Sequence, residues 1–299
     1  MKKIAPLLIL LAGVLWGCLG IFVRKLNTYG LYAMEIVHLR AVVTSIGLGL
    51  LLLTFDRKLF RIHRKDIWCF LGTGLCSIVF FNYCYFQAIS MTSMAVAAVL
   101  LYTAPAIVMV LSFFLFREKF SVKKLIALIL TFMGCLLVTG ILSDQGTISG
   151  SGILVGLGAG FGYALYSIFS RYALNKGYHS LTITFYTFLI AGLGTLVLSD
   201  FGVVYETSVQ SISVLLLCIA LGILGTVVPY LTYTTGLKYV ENSKASIIAS
   251  IEPVTAALIG MFLFQEDISV QGVLGIVLVL AALVILGKGN RTGPEKLNG

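Results

Sequence analysis

Glu252 stands directly before Pro253 inside the run SIIASIEPVTAALIGMFLFQED, residues 246–267. A carboxylate in an apolar span costs free energy unless it faces protein or water. A proline there removes a backbone hydrogen bond and crowds the carbonyl four residues earlier. Together they make one depth of the span polar, with an acid beside a freed carbonyl near residue 249. Such a place can bind a cationic group, share a proton or hydrogen-bond a solute. Pro105 marks the corresponding break in PAIVMVLSFFLFREKFSV, where Ala104 replaces the acid.

Arg40 is the second candidate and the only cation placed within a span, on a stretch that also holds Glu35 and His38. Its insertion costs about 2.5–3.5 kcal/mol on biological scales. Either it snorkels to the interface or it faces a cavity, where it binds a substrate carboxylate or pairs with an acid. Large polar side chains crowd the same kind of span: Trp16, Asn82, Tyr83, Tyr85, Tyr102, Tyr163, Tyr166, Tyr230 and Tyr233. An aromatic belt at the membrane surface is the ordinary reading of any one of them. Lining a solute path is the other.

Those residues need elements to hold them, and the composition restricts what the elements are. The chain has 299 residues, 59% of them hydrophobic and 11% charged, with a mean hydropathy of +1.03. A soluble domain carries about 25% charge. The apolar runs are continuous rather than alternating, which favours membrane helices over a barrel. This is an all-α membrane protein. The net charge of +9 is then a matter of topology rather than of nucleic-acid binding.

Ten helices are expected, at 4–23, 33–54, 67–89, 94–116, 123–142, 150–170, 181–199, 213–237, 245–264 and 270–287. The leading MKKIAPLLILLAGVLWGC imitates a secretory signal, but its apolar run continues through LGIFV, so it is read as the first span. With the N-terminus inside, eighteen Lys and Arg fall on the cytoplasmic side and only Arg24 and Lys25 outside. Cytoplasmic loops carry the positive excess, so both termini are expected in the cytoplasm. The loop at 144–149 is then expected outside.

The chain also repeats itself. Offset by 148 residues, PAIVMVLSFFLFREKFSV lies on PVTAALIGMFLFQEDISV with seven of 18 positions identical. At nearly the same offset IFVRKLNTYG lies on IFSRYALNKG, pairing Arg24 with Arg171 and Gly30 with Gly177. Each half holds five helices, an odd number, so the second half enters from the opposite side. Two inverted five-helix repeats result: residues 1–143, then 150–287, with 288–299 as a short cytoplasmic tail. Inverted repeats are a recurring transporter architecture with the site between the halves near mid-membrane. Trp16 and Tyr163 are then repeat-related, as are Tyr102 and Ser250.

With LWGCLGIFVRK, EIVHLRAVV and the two proline-to-glutamate stretches in place, the sequence resembles the drug/metabolite transporter superfamily in its ten-helix form, built from two EamA-type repeats. The resemblance covers nearly the whole chain. It departs where Arg117 and Gln265 replace the usual glycine before Glu118 and Glu266. It implies alternating-access transport of small metabolites, often amino acids, across the plasma (inner) membrane. It also implies a cavity lined by Trp16, Tyr102, Tyr163 and their neighbours, Ser250 among them. The expected partners are a small-molecule substrate and the bilayer, not nucleic acid, in a monomer or homodimer.

The rival classes are a membrane-embedded enzyme and a structural or sensing membrane protein. No Ser-His or Asp-Asp arrangement is defensible in the spans, and the loops are too short to present a domain. There is no GxxxxGK[ST] loop for ATP-driven pumping. Six cysteines and three histidines are scattered without metal-ligand spacing, so neither metal nor cofactor is expected. Glu118 and Glu266 are expected to fix helix hairpins, with Ser121 and Ser269 as N-caps.

Overall fold

The computed structural model describes residues 1–143 and 149–287. The expected outside loop falls mostly, and the cytoplasmic tail wholly, outside the described residues. Among the described residues every regular element is helical.

Eight segments are long and apolar enough to cross a membrane: α1 (Ala5–Asn27), α2 (Ala33–Phe55), α3 (Arg64–Met91), α4 (Met94–Phe116), α6 (Gly150–Asn175), α8 (Ile212–Leu237), α9 (Asn242–Phe264) and α10 (Val270–Gly287). Two shorter helices occupy the remaining expected places, α5 (Val122–Val138) and α7 (Ser180–Thr195). At 17 and 16 residues these lie at and just below the lower end of the range for a spanning helix. Gly140, at φ +72°, turns the chain after α5. A short helix, Phe201–Val209, was not expected; Asp200 caps it through the amide of Val203 at 3.2 Å.

The expected proline breaks are present. In α4 the helix stops at Leu101 and restarts at Ala104; in α9 it stops at Ala249 and restarts at Glu252. Pro105 and Pro253 sit in the first turn of each restarted helix, where their missing N–H is harmless. Two further irregularities are π-helical turns, Gly72–Val79 in α3 and Ile223–Val227 in α8. Such turns in α-helices occur frequently at functional sites.

Glycines let other helices approach the breaks. A Cβ on Gly13 of α1 would lie 2.7 Å from the Ala249 carbonyl oxygen, and one on Gly17 would lie 2.6 Å from that of Glu252. A Cβ on Gly160 of α6 would lie 2.8 Å from the Leu100 carbonyl oxygen. Small residues allow this backbone contact, which drives helix association in lipid. α1 therefore packs on the break in α9, and α6 on the break in α4.

Arg117 and Gln265 explain their departure from glycine by occupying its conformation. Both lie in the left-handed region, at φ 55°. Each closes its helix: the amides of Glu118 and Glu266 bond back to Ser112 and Gly260 carbonyls at 3.2 and 3.0 Å. The hairpin caps are the serines, as expected. Ser121 accepts from the Lys124 amide at 3.2 Å and Ser269 from the Gly272 amide at 3.1 Å.

The glutamates do something else. Glu118 accepts from the amides of Asn242 (2.6 Å) and Ser243 (3.2 Å) and from the Ser243 hydroxyl (2.5 Å). It thus caps the start of α9, while an ion pair with Lys124 at 3.9 Å also reaches into its own hairpin. Glu266 pairs with Arg24 at the end of α1, and Arg24 also lies 4.1 Å from the centre of the Phe264 ring. The repeat-related Arg171 bonds Asn242 Oδ1 at 2.7 Å and the Val240 carbonyl. The two residues expected to fix hairpins therefore tie α1 to α9 at one end and α4 to α9 at the other.

Candidate functional site

Trp16 of α1 is the centre of an aromatic group drawn from four helices. Its ring lies 5.0 Å from Tyr230 and 5.4 Å from Tyr233, both on α8, and 6.4 Å from Tyr163 on α6. Tyr166 and Phe188 meet the Tyr230 ring edge-on at 4.9 and 4.7 Å. Offset and edge-on contacts of this kind hold rings in fixed positions. Two hydroxyls of the group are tied down: Tyr166 with Thr234 at 2.8 Å, and Tyr233 with Ser167 at 2.7 Å.

The acid joins this group from α9. The Tyr163 hydroxyl donates to Glu252 Oε2 at 3.2 Å. Arg40 joins it from α2: its Nε donates to Thr226 Oγ1 at 3.0 Å, and its guanidinium interacts with Tyr230 and, at longer range, with Glu252. Thr226 sits in the π-helical turn of α8. Arg40 and Glu252 are thus each held by a hydroxyl of their own, Thr226 and Tyr163. One site carries a cation and an anion without their neutralising each other by contact.

Among the rings lies a cavity of about 20 Å³, lined by Trp16, Ser77, Phe81, Tyr163, Tyr230 and Tyr233 among others. That volume holds about one water molecule. Trp16 Nε1 and Ser77 Oγ are buried without hydrogen-bond partners, and both residues border this cavity. A buried donor left unpaired costs about 1–3 kcal/mol, so two at one cavity mark a place where a partner belongs. A larger cavity, about 260 Å³, lies at the ends of α1, α9 and α10. The smaller one is the functional candidate, because it lies among the rings that contact Arg40 and Glu252 and is bordered by the unpaired Trp16 and Ser77.

The remaining sequence candidates divide. Tyr102 packs beside Ile251 and Val254 at the α9 break. Ser250 is buried in that break and donates to the Ser246 carbonyl at 3.1 Å. Asn82 is buried, but its amide donates to the Ile78 carbonyl of its own helix at 2.8 Å, which satisfies it locally. Tyr83 is 45% exposed on the outer surface, away from the cavity. His38 bonds Thr195 at 2.9 Å and faces the Phe201 ring. Ser77, Phe81 and Thr226 were not singled out from the sequence. Their one signal was glycine inside apolar spans, Gly72 and Gly74 before Ser77, and Gly222 and Gly225 before Thr226, where each helix turns irregular.

Comparison with known proteins bears on this geometry. The model of the EamA-like transporter family matches the chain twice, over residues 3–140 and 150–288. An uncharacterized transporter of Archaeoglobus fulgidus is 32% identical over 287 residues, covering 93% of this chain and 94% of its own. The uncharacterized transporter YxxF of Bacillus subtilis is 27% identical over 302 residues, and the uncharacterized inner membrane transporter YicL of Salmonella typhimurium 23% over 290. A solved crystal structure superposes with a TM-score of 0.79 over 97% of this chain and 99% of that one, at 17% identity. At that identity the likeness concerns the fold alone.

Proposed function

The chain belongs to the EamA-like transporter family and is a multi-pass membrane transporter, and from that premise we propose how it works and on what. It spans the membrane ten times as two inverted five-helix repeats, with α5 and α7 as the short spans and both termini cytoplasmic. The family's two matched segments, the matched breaks in α4 and α9, and the π-turns in α3 and α8 support that reading. It lies in the plasma membrane and moves its solute by alternating access, the site between the halves opening to one face at a time.

The substrate is a small metabolite carrying both a cationic and an anionic or acceptor group, as amino acids and related compounds do. Glu252 takes the cationic end, with Tyr163 orienting the carboxylate. Arg40, with Tyr230 beside it, takes the anionic end. Trp16 supplies an apolar face between them. One observation carries this reading: an acid and a cation from different helices each contact a tyrosine that lines one aromatic cavity, and each is held by a separate hydroxyl. At about 20 Å³ the cavity is far below the ~300 Å³ of a ligand pocket. The arrangement is therefore the closed one, and the solute enters only as the breaks in α4 and α9 flex.

Counterflow in proteoliposomes tests the proposal. Purified protein is loaded with a mixture of zwitterionic, purely cationic and purely anionic solutes of similar size. Accelerated exchange of the zwitterionic set, lost in Arg40→Gln and in Glu252→Gln, is the expected result. Equal exchange of all three sets, or retention of exchange in both variants, overturns the two-pole site.

A further inference from the structure

The larger cavity, about 260 Å³, lies where α1 and α9 begin and α8 and α10 end. Its walls are apolar: Leu7 and Leu10 from α1, Ile248 from α9, Leu283 and Leu286 from α10. Leu7 is 62% exposed, so the groove opens sideways, toward the acyl chains and not only toward water. Its mouth carries Lys2, Tyr239, Glu241 and Lys244.

The charge of that mouth is lopsided. Glu241 is engaged from both sides, by Lys244 at 2.8 Å and by the buried Lys124 at 3.1 Å. Burial works against its ionisation, but the two lysines outweigh it and hold the carboxyl below its ordinary range. Glu241 is thereby spent on its neighbours, and Lys2 is left to face the groove uncompensated. Lys238 stands beside Tyr239 at the same level, its Nζ 5.9 Å from the ring centre. Basic residues clustered at helix ends attract anionic lipid.

We infer that this groove binds an anionic phospholipid, one acyl chain lying between α1 and α10 and the phosphate meeting Lys2 and Lys244. The occupant matters to transport because Ile248 stands two residues before the break at Ser250–Ile251, on the helix that carries Glu252. A chain wedged there supports the first half of α9. The inference does not rest on the identity of the transported solute.

The test uses the full chain, purified in detergent, with phosphatidylglycerol or phosphatidylcholine titrated in. Bound lipid is counted by native mass spectrometry and melting temperature is followed in parallel. Phosphatidylglycerol should bind saturably and raise the melting temperature, while phosphatidylcholine does neither. Lys2→Gln should weaken half-saturation about fivefold, and Lys2→Gln with Lys244→Gln by about that factor again. Leu283→Trp, which fills the groove and leaves the lysines, should abolish the saturable phase. Equal binding of the two lipids overturns the inference, as does reproduction of the effect by inorganic phosphate. So does a response unchanged in both Lys2→Gln and Leu283→Trp. If deleting residues 288–299 is what opens the groove to lipid, its natural occupant is the chain's own tail and the inference fails.

Discussion

Tyr163 and Glu252, 89 positions apart in the chain, meet through a hydrogen bond from the phenol to the carboxylate at 3.2 Å. The bond joins α6 to the restarted half of α9. It gives the acid one fixed donor and leaves its other oxygen for a solute. An architectural role would ask for the acid in both halves, yet the equivalent position is Ala104, and the α4 break forms without it. The charge is therefore separable from the fold.

Glu252→Gln keeps size and hydrogen-bonding ability and removes the charge. It should express and melt like the parent but transport at least tenfold more slowly, with its pH dependence flattened between roughly pH 5.5 and 8. Tyr163→Phe should lower transport less and keep the pH profile. Flux against pH in proteoliposomes decides; a parental profile in Glu252→Gln removes the acid from the mechanism.

Ser77 and Trp16 present the opposite energetic case. Their polar atoms are already unpaired, so removing them forfeits no hydrogen bond within the protein. Ser77→Ala should therefore leave the melting temperature unchanged or raised, while weakening solute affinity. Trp16→Phe loses ring contacts with Tyr230 and Tyr233 as well, and should cost stability too. A Ser77→Ala protein that is destabilised, or that binds solute like the parent, contradicts the assignment of this cavity.

Glu118 and Glu266 look alike in sequence and should behave differently. Glu118 is held by three donors at the start of α9, so Glu118→Ala should cost about 1–3 kcal/mol. Glu266 and Arg24 are about half exposed, so Glu266→Ala should cost under about 1 kcal/mol. Chemical denaturation in micelles of one composition ranks the two directly. The reverse order would mean that the Arg24 end, not the Glu118 end, secures α9.

Much of this was legible from residue type and spacing. Proline in an apolar run has one consequence for a helix, so the breaks at Pro105 and Pro253 followed. Trp16, Tyr163, Tyr166 and Tyr230 were each readable as belt residues or as lining a solute path, and only the resemblance to the family pointed to a cavity. Tyr83 shows why: a tyrosine near a helix surface can face outward, and spacing alone does not tell which. Asn82 failed for a different reason, since in a membrane a side-chain amide satisfies itself on its own helix. Ser77 was invisible because the π-helical turn changes which way the side chain points, and no apolar periodicity records such a turn. The role of Glu118 was hidden because its partners lie 124 and 125 positions away.

Topology is open to direct chemical test. Arg61 and Gln210 are exposed, one between α2 and α3 and the other before α8. With the native cysteines replaced, a single Arg61→Cys should react with an impermeant maleimide only after the membrane is opened. A single Gln210→Cys should react in intact cells. The opposite pattern would reverse the membrane orientation proposed here, and labelling of both in intact cells would break the ten-span count.

A close helix contact in the site's support gives a further test. Gly160 of α6 lies against the α4 break, where a Cβ would stand 2.6 Å from Thr103 Oγ1 and 2.8 Å from the Leu100 carbonyl oxygen. The second of these is backbone and cannot swing aside. Gly160→Val must therefore push α6 away from α4, and α6 carries Tyr163 and Tyr166. Overpacking of this kind costs about 1–3 kcal/mol. Because the displacement moves the Tyr163 hydroxyl relative to Glu252, transport should fall further than stability alone explains. Gly158→Val on the same helix is the control, since its nearest contacts are side-chain atoms at 3.5 and 3.7 Å. It should melt and transport close to the parent. If the two variants are indistinguishable in both measurements, the seat of α6 on the α4 break does not set the geometry of the acid, and Tyr163 is positioned by the ring cluster alone.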